Sequence, residues 1–220
     1  MIFFLEEIMI ICYNYILNKQ NLSLLTAKEQ DLFFFLLYSL EEDGVIENAE
    51  YKLVKEYIFD PSYSNKRVEE ALKSLVSKLE KMVFIKEDGE AVPFNILTNL
   101  TIDSNDKSFG IELNKDFDYL IGELCNKRGF SKVIFDLRVF FKIKGKHTKS
   151  LYRLLMAFCS SGRRKFKESL LIERLGIDEK LPYSRKQKKV IDELEKMKDL
   201  FVDFEYKEVR KGLGGKKVSG

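Results

Sequence analysis

One short run concentrates groups able to meet both a polyanion and the edges of its bases: Arg185, Lys186, Gln187, Lys188 and Lys189. Arginine and lysine donate to guanine O6 and N7, and glutamine pairs with adenine. For such direct readout the candidates are Arg185, Lys186, Gln187 and Lys189, with Lys188 in the same cluster. Val190, Ile191, Leu194 and Met197 follow at i, i+1, i+4 and i+7, one apolar face of a helix. The basic run is therefore the front of a helix whose back is buried. Like charges crowded there repel one another at the positive end of the helix dipole, where carboxylates are favoured. A polyanion would relieve that repulsion. A solvated basic face on an ordinary surface helix would have the same composition, so the neighbouring elements must decide.

Those elements come in a definite order. A helix over 148–158 buries Leu151, Leu154, Leu155 and Phe158, with Tyr152 beside them. Ser160–Lys165 is a polar basic loop. A helix over 168–175 presents Leu170, Leu171 and Leu175, and Gly176 stops it. Pro182 precedes the basic helix, and Phe201, Phe204 and Tyr206 belong to a strand after it. Gly212, Gly214 and Gly215 then allow a tight turn with Arg210, Lys211, Lys216 and Lys217 on its arms. Three helices followed by a basic hairpin is the winged-helix order, which places the third helix in the major groove and the hairpin on the flanking backbone. Lys146, His147, Lys149, Arg163, Arg164, Arg210, Lys211, Lys216 and Lys217 are cast as phosphate contacts. The returning strand of this wing is expected to be clipped, since the sequence stops at Gly220.

Other chemistry finds little support. His147 is the single histidine, so a site needing two is excluded from this chain. Cys12, Cys125 and Cys159 form no CxxC pair and are expected as buried free thiols in a reducing cytoplasm. No GxxxxGK[ST] stretch offers a nucleotide-cradling loop. Glu6-Glu7, Glu41-Glu42 and Glu69-Glu70 are adjacent pairs, which diverge by about 100° on a helix and read as solvated surface. The chain is expected to be no enzyme and to need neither metal nor cofactor.

The net charge of +3 conceals an asymmetry. Residues 1–125 hold 12 Lys/Arg against 23 Asp/Glu, a net of −11; residues 126–220 hold 26 against 12, a net of +14. A basic half joined to an acidic one points the basic half at a polyanion. The opening stretch Met1 to Tyr15 is apolar, yet Glu6 and Glu7 interrupt it and it is too short to span a bilayer. It reads as a leading strand or short helix, with no membrane role. Thr26 and Glu29 have capping-box spacing and open a helix through Leu32, Phe33, Leu36, Leu37 and Leu40. A short helix over 51–59 turns Leu53, Val54, Tyr57 and Ile58 inward. Ser64 or Asn65 caps a third, with Val68, Leu72, Leu75, Val76 and Leu79 inward. Val83–Lys86, a turn at Asp88-Gly89 and Ala91–Thr101 predict a hairpin. A strand over Phe109–Leu113 and an amphipathic helix over Asp116–Leu124 follow. The first half thus repeats the order, with Asn65, Lys66, Arg67 and Lys73 on a candidate second recognition helix. Asn126–Gly129 is the expected boundary. The fold class is α+β: two tandem winged-helix (helix-turn-helix) domains, 1–125 and 126–220, packed side by side.

The segments FSKVIFDL, HTKSLYRLLMAF, KESLLIERLGI and YSRKQKKVIDELEKM, in that order, resemble the replication initiator proteins of iteron-bearing plasmids. Thr148, Ser150, Leu151 and Tyr152 stand where that family places a Ser/Thr-rich basic approach to a Leu-Tyr pair. The likeness covers about 90 C-terminal residues well. The first half matches in element order, LLTAKEQDLFFFLL being its most similar stretch. Asp192, Glu193 and Glu195 depart from a basic helix and leave its front alone to face phosphates. The resemblance implies recognition of repeated double-stranded DNA sites at an origin, opening of that origin and recruitment of host replication proteins. It also implies monomers on the repeats and homodimers in self-repression, with the first domain serving dimerisation and auxiliary DNA contact. A winged-helix transcriptional regulator on one operator, or a protein-interaction module with an incidental basic face, would share many of these features.

Overall fold

A computed structural model describes residues 8–86, 88–122, 132–162, 164–202 and 204–207, and every structural statement concerns these. Seven helices and seven strands are built from them, with three short 3-10 turns in the first 120 residues and one after Met156. The helix α1 (Ala27–Ser39) lies at the centre. Thr26 accepts the Glu29 amide while the Glu29 side chain accepts the Thr26 amide, so the capping box closes in both directions. Residues from Glu29 to Leu37 are all buried, including Phe34 and Phe35 beyond the single face expected. A helix apolar all round belongs inside a core.

Around α1 run α2 (Tyr51–Tyr57) and α3 (Asn65–Glu80), the latter capped by Ser64 and burying Val68, Leu72, Leu75 and Leu79. On α2, Val54 and Ile58 are buried as expected, whereas Leu53 and Tyr57 are each about two-fifths exposed (41% and 42%) because seven residues span too few turns for four inward positions. The hairpin is β3 (Val83–Ile85) with β4 (Ala91–Pro93). Its second arm ends at Pro93, which has no N–H for a longer ladder, and β5 (Leu97–Asp103) pairs elsewhere. A three-stranded antiparallel sheet runs in the order β2 (Val45–Glu50), β6 (Ser108–Leu113), β5. The described part of the helix expected over 116–124 is not α-helical: a 3-10 turn over Lys115–Leu120 stands there, started by the Asn114 side chain, and 123–124 lie outside the described residues.

The two halves are joined through strands. In an antiparallel ribbon β1 (Ile10–Asn14) pairs with β7 (Lys132–Asp136), Ile10 opposite Asp136 and Asn14 opposite Lys132. Within the leading apolar stretch, Ile10–Asn14 is therefore a strand completing the second half. Next come α4 (Leu137–Lys142), α5 (Lys146–Met156), α6 (Glu168–Leu175) and α7 (Tyr183–Met197). One continuous hydrophobic core contains residues of both halves, from Ile11, Tyr13 and Phe34 to Phe135, Phe140, Tyr152 and Met197. Edge-on and tilted ring pairs link Tyr13, Phe34, Phe135 and Phe140 at 5.2 to 6.2 Å. α6 ends at Gly176 with φ +65°, where a Cβ would stand 2.1 Å from Cβ of Ser23. The expected boundary at Asn126–Gly129, Cys125, and the whole glycine-bearing wing lie outside the described residues. Phe201, Phe204 and Tyr206 follow one another as tilted ring pairs, but 204–207 form no ladder. Cys12 is half-buried and Cys159 is exposed, so the expectation of buried thiols does not hold for Cys159. No helix among the described residues is long and apolar enough to cross a membrane.

Candidate nucleic-acid interface

The α7 helix stands on α5 and α6 through Val190 and Met197, with Leu194 half-buried. Ile191, expected inward, is 49% exposed, because i+1 falls about 100° round the helix from Val190. Pro182 precedes α7 and offers no side-chain cap. Arg185, Lys188 and Lys189 are exposed, and Lys186 and Gln187 are half-buried. Among the described residues none of these four cations lies within ion-pair distance of a carboxylate. Two of the three acidic residues of the same helix are engaged on its far part, and the third, Asp192, is exposed. Glu193 is buried, accepts from the Thr148 hydroxyl and pairs with Lys196 at 2.7 Å; Glu195 pairs with Lys198 at 2.6 Å. The helix is thereby divided into a cationic front without ion pairs and a rear where Glu193 and Glu195 are paired with lysines.

At the foot of that front stands Glu168, the first residue of α6. Its Oε2 accepts from the Tyr183 hydroxyl at 2.8 Å and from Gln187 Nε2 at 3.2 Å, while its Oε1 is buried without a partner. Nineteen residues separate Glu168 from Gln187, and the turn between the helices brings them together. Sequence patterns single out neither Glu168 nor Tyr183. A carboxylate at a helix start reads as a dipole partner, and nothing local in the chain announces its second task.

The predicted phosphate contacts divide. Arg164 is exposed and rests over the Phe158 ring, 4.6 Å from its centroid. Exposed Lys165, the end of the basic loop expected from the sequence, and exposed Lys167, which sequence reasoning passes over, extend the same cationic surface. Lys146 is half-buried and donates to the Ser23 carbonyl at 2.9 Å. His147 Nδ1 sits 2.5 Å from the Leu175 carbonyl, which can only accept, so Nδ1 holds the hydrogen. Lys149 contradicts its assignment. It is 0% exposed, pairs with Asp31 of α1, donates to the Phe140 carbonyl and lies over the Phe140 ring. One turn on, Arg153 is also buried, 5.0 Å from the Phe34 ring centroid, with its Nε unpartnered. Burial pushes the Asp31 carboxyl up to about 6 and the Lys149 ammonium down to about 8, desolvation outweighing their mutual attraction in both. Arg163, Arg210, Lys211, Lys216 and Lys217 lie outside the described residues.

On α3, Lys66, Arg67 and Lys73 are exposed, and Asn65 Oδ1 accepts from Lys55 Nζ at 2.5 Å. Arg67 leans over Tyr63, which stacks on Phe59 with centroids 4.5 Å apart. Among the described residues no group of three or more His, Cys, Asp or Glu is placed to hold a metal ion.

Helices α6 and α7 meet as a helix-turn-helix with a cationic second helix, set on a central helix and a strand ribbon shared with the other half. This is the build of a winged-helix DNA-binding protein. Residues 10–156, two thirds of the chain, match the family described as Initiator Replication protein, WH1, and the chain belongs to that family. The match runs from β1 to the end of α5. The chain also superposes on the crystal structure of Pi initiator protein in complex with iteron DNA, with a TM-score of 0.65, 16% sequence identity, and coverage of 94% of this chain and 95% of that one. At that identity the likeness is one of fold. No curated protein matches the chain.

Proposed function

We propose that this replication initiator binds repeated double-stranded DNA sites, iterons, at a plasmid origin, and that this binding opens the origin and recruits host replication proteins in the cytoplasm. The observation that supports the reading is the front of α7, where Arg185, Lys186, Lys188 and Lys189 form no ion pair with a described carboxylate while Glu193 and Glu195 behind them are paired within the fold. Uncompensated charge on a helix front suits a phosphate-lined groove. The work is binding and deformation of a duplex, with no covalent step and no cofactor. Arg185, Lys186, Gln187 and Lys189 are assigned to base edges. Lys188, Arg164, Lys146 and His147, with Arg163, Arg210, Lys211, Lys216 and Lys217, are assigned to the backbone. Asn65, Lys66, Arg67 and Lys73 on α3 form the auxiliary contact of residues 1–125, the half also assigned to homodimer formation.

Footprinting of the full chain on the DNA flanking its gene tests this. The expected result is protection of an array of direct repeats about two helical turns apart, with affinity falling against log salt at about −0.9 per phosphate neutralised. Arg185→Ala should relax base preference at one position by ~1–3 kcal/mol. Protection of a single palindrome would instead favour a regulator, and binding without salt dependence would remove DNA as the partner.

A further inference from the structure

We infer that Glu168 is a positioning residue for base recognition: it fixes the Gln187 amide so that α7 selects adenine at one position of its duplex site. The inference rests on the proposed DNA-binding role of α7. A glutamine side chain is ambiguous by itself, since its carbonyl oxygen and amino group exchange places by a half-turn about χ3. Glu168 removes the ambiguity. An ionised carboxylate only accepts, so the amino group is the one part of the Gln187 amide that can face Oε2 at 3.2 Å. One N–H is thereby committed. The carbonyl oxygen and the second N–H remain, an acceptor beside a donor, and adenine presents the complement in N6–H and N7.

The same carboxylate is itself held. Tyr183, on the first turn of α7, donates its hydroxyl to Oε2 at 2.8 Å, so the oxygen that orients Gln187 is tethered to the helix it serves. Oε1 is enclosed and makes no hydrogen bond. A buried carboxylate oxygen without a donor is costly in stability, and orientation of a neighbouring reader gives this side chain a reason to be there. The arrangement also sets a carboxylate beside the cationic front, which weakens the grip on phosphates in general while sharpening one base choice.

The test uses the full chain and its Glu168→Gln, Gln187→Ala, Tyr183→Phe and combined Glu168→Gln/Gln187→Ala variants. Each is carried through selection from a randomised duplex library. Each is then titrated on duplexes bearing each of the four bases, or 7-deazaadenine, at the selected positions. The unaltered chain is expected to favour adenine at one position by about tenfold or more and to lose that advantage on 7-deazaadenine, which lacks the N7 acceptor. A glutamine at 168 can donate or accept, so Glu168→Gln should cut the adenine preference several-fold there and nowhere else. It should change nothing further when Gln187 is already alanine. Tyr183→Phe, which removes the tether but keeps the Glu168 carboxylate, should weaken the preference less than Glu168→Gln does. An unchanged adenine preference in Glu168→Gln, an effect that persists without Gln187, or a larger loss in Tyr183→Phe than in Glu168→Gln would each overturn the inference. So would full binding to 7-deazaadenine at every adenine, a result that needs no variant to fold. Failure of the unaltered chain to enrich any sequence would instead sink the DNA-binding reading itself.

Discussion

Lys149 shows how a side chain's surroundings override its type. In the stretch KGKHTKSLYR it reads as one more cation facing a phosphate, yet it is enclosed against Asp31, and Lys28 stands 3.6 Å from the same carboxylate. Removing one partner leaves a buried charge unmatched, so Asp31→Ala should destabilise the fold by ~3–5 kcal/mol, whereas the double change Asp31→Asn/Lys149→Met should be near neutral. Urea unfolding monitored by circular dichroism measures both. The pair also gives stability a definite pH dependence. Between 3.8 and about 6 the folded chain retains a proton on Asp31 that the unfolded chain has lost, so this contribution declines as pH rises. Between about 8 and 10.5 the unfolded chain holds a lysine proton that the folded one has released, so stability climbs with pH. The pair's contribution is therefore lowest from about pH 6 to 8, and the double variant should flatten that trough. A stability curve with the same trough in both proteins would place its origin elsewhere.

At the level of elements, α7 has two separable tasks. Lys188→Ala removes one backbone-assigned, exposed charge from the front while leaving Val190 and Met197 packed. Affinity should fall on all duplexes alike, with the salt slope shallower by about one for each phosphate no longer neutralised and melting unchanged. Elements with strong local chemistry are legible in the chain itself: the Thr26–Glu29 box opening α1, Gly176 closing α6, the Asp88-Gly89 turn between β3 and β4. What stays hidden has physical causes. In β2, VIENAE lacks clean alternation because Asn48 sits at φ +53° in a bulge opposite β6, so no period of two advertises the strand. Leu53 and Ile191 read as inward because residue type records affinity for a core and says nothing of whether that turn of helix reaches one. Glu168 with Gln187, and Asp31 with Lys149, are pairings across 19 and 118 residues, which only the completed fold can make.

For the whole molecule, charge divides the chain at its middle while packing does not. The acidic half lends β1 to the ribbon that covers Val133 and Phe135, and its α1 supplies the counter-ion for Lys149. Residues 132–220 expressed alone would expose the edge of β7 and strand two buried cations. The fragment should show no cooperative unfolding transition, and co-expression with residues 1–122 should restore one. A fragment that melts cooperatively by itself would show that the halves are independent. Unfolding of the intact chain should be a single transition for the same reason.

The close seat of Gly176 on Ser23 offers a steric handle on that union. A methyl group placed there has nowhere to go, and the left-handed backbone gives it no relief. Gly176→Ala would act as a wedge driven under the rim of the basic half, altering no charge and no base-facing atom. Any change it makes in how DNA is gripped would report on leverage between the halves alone.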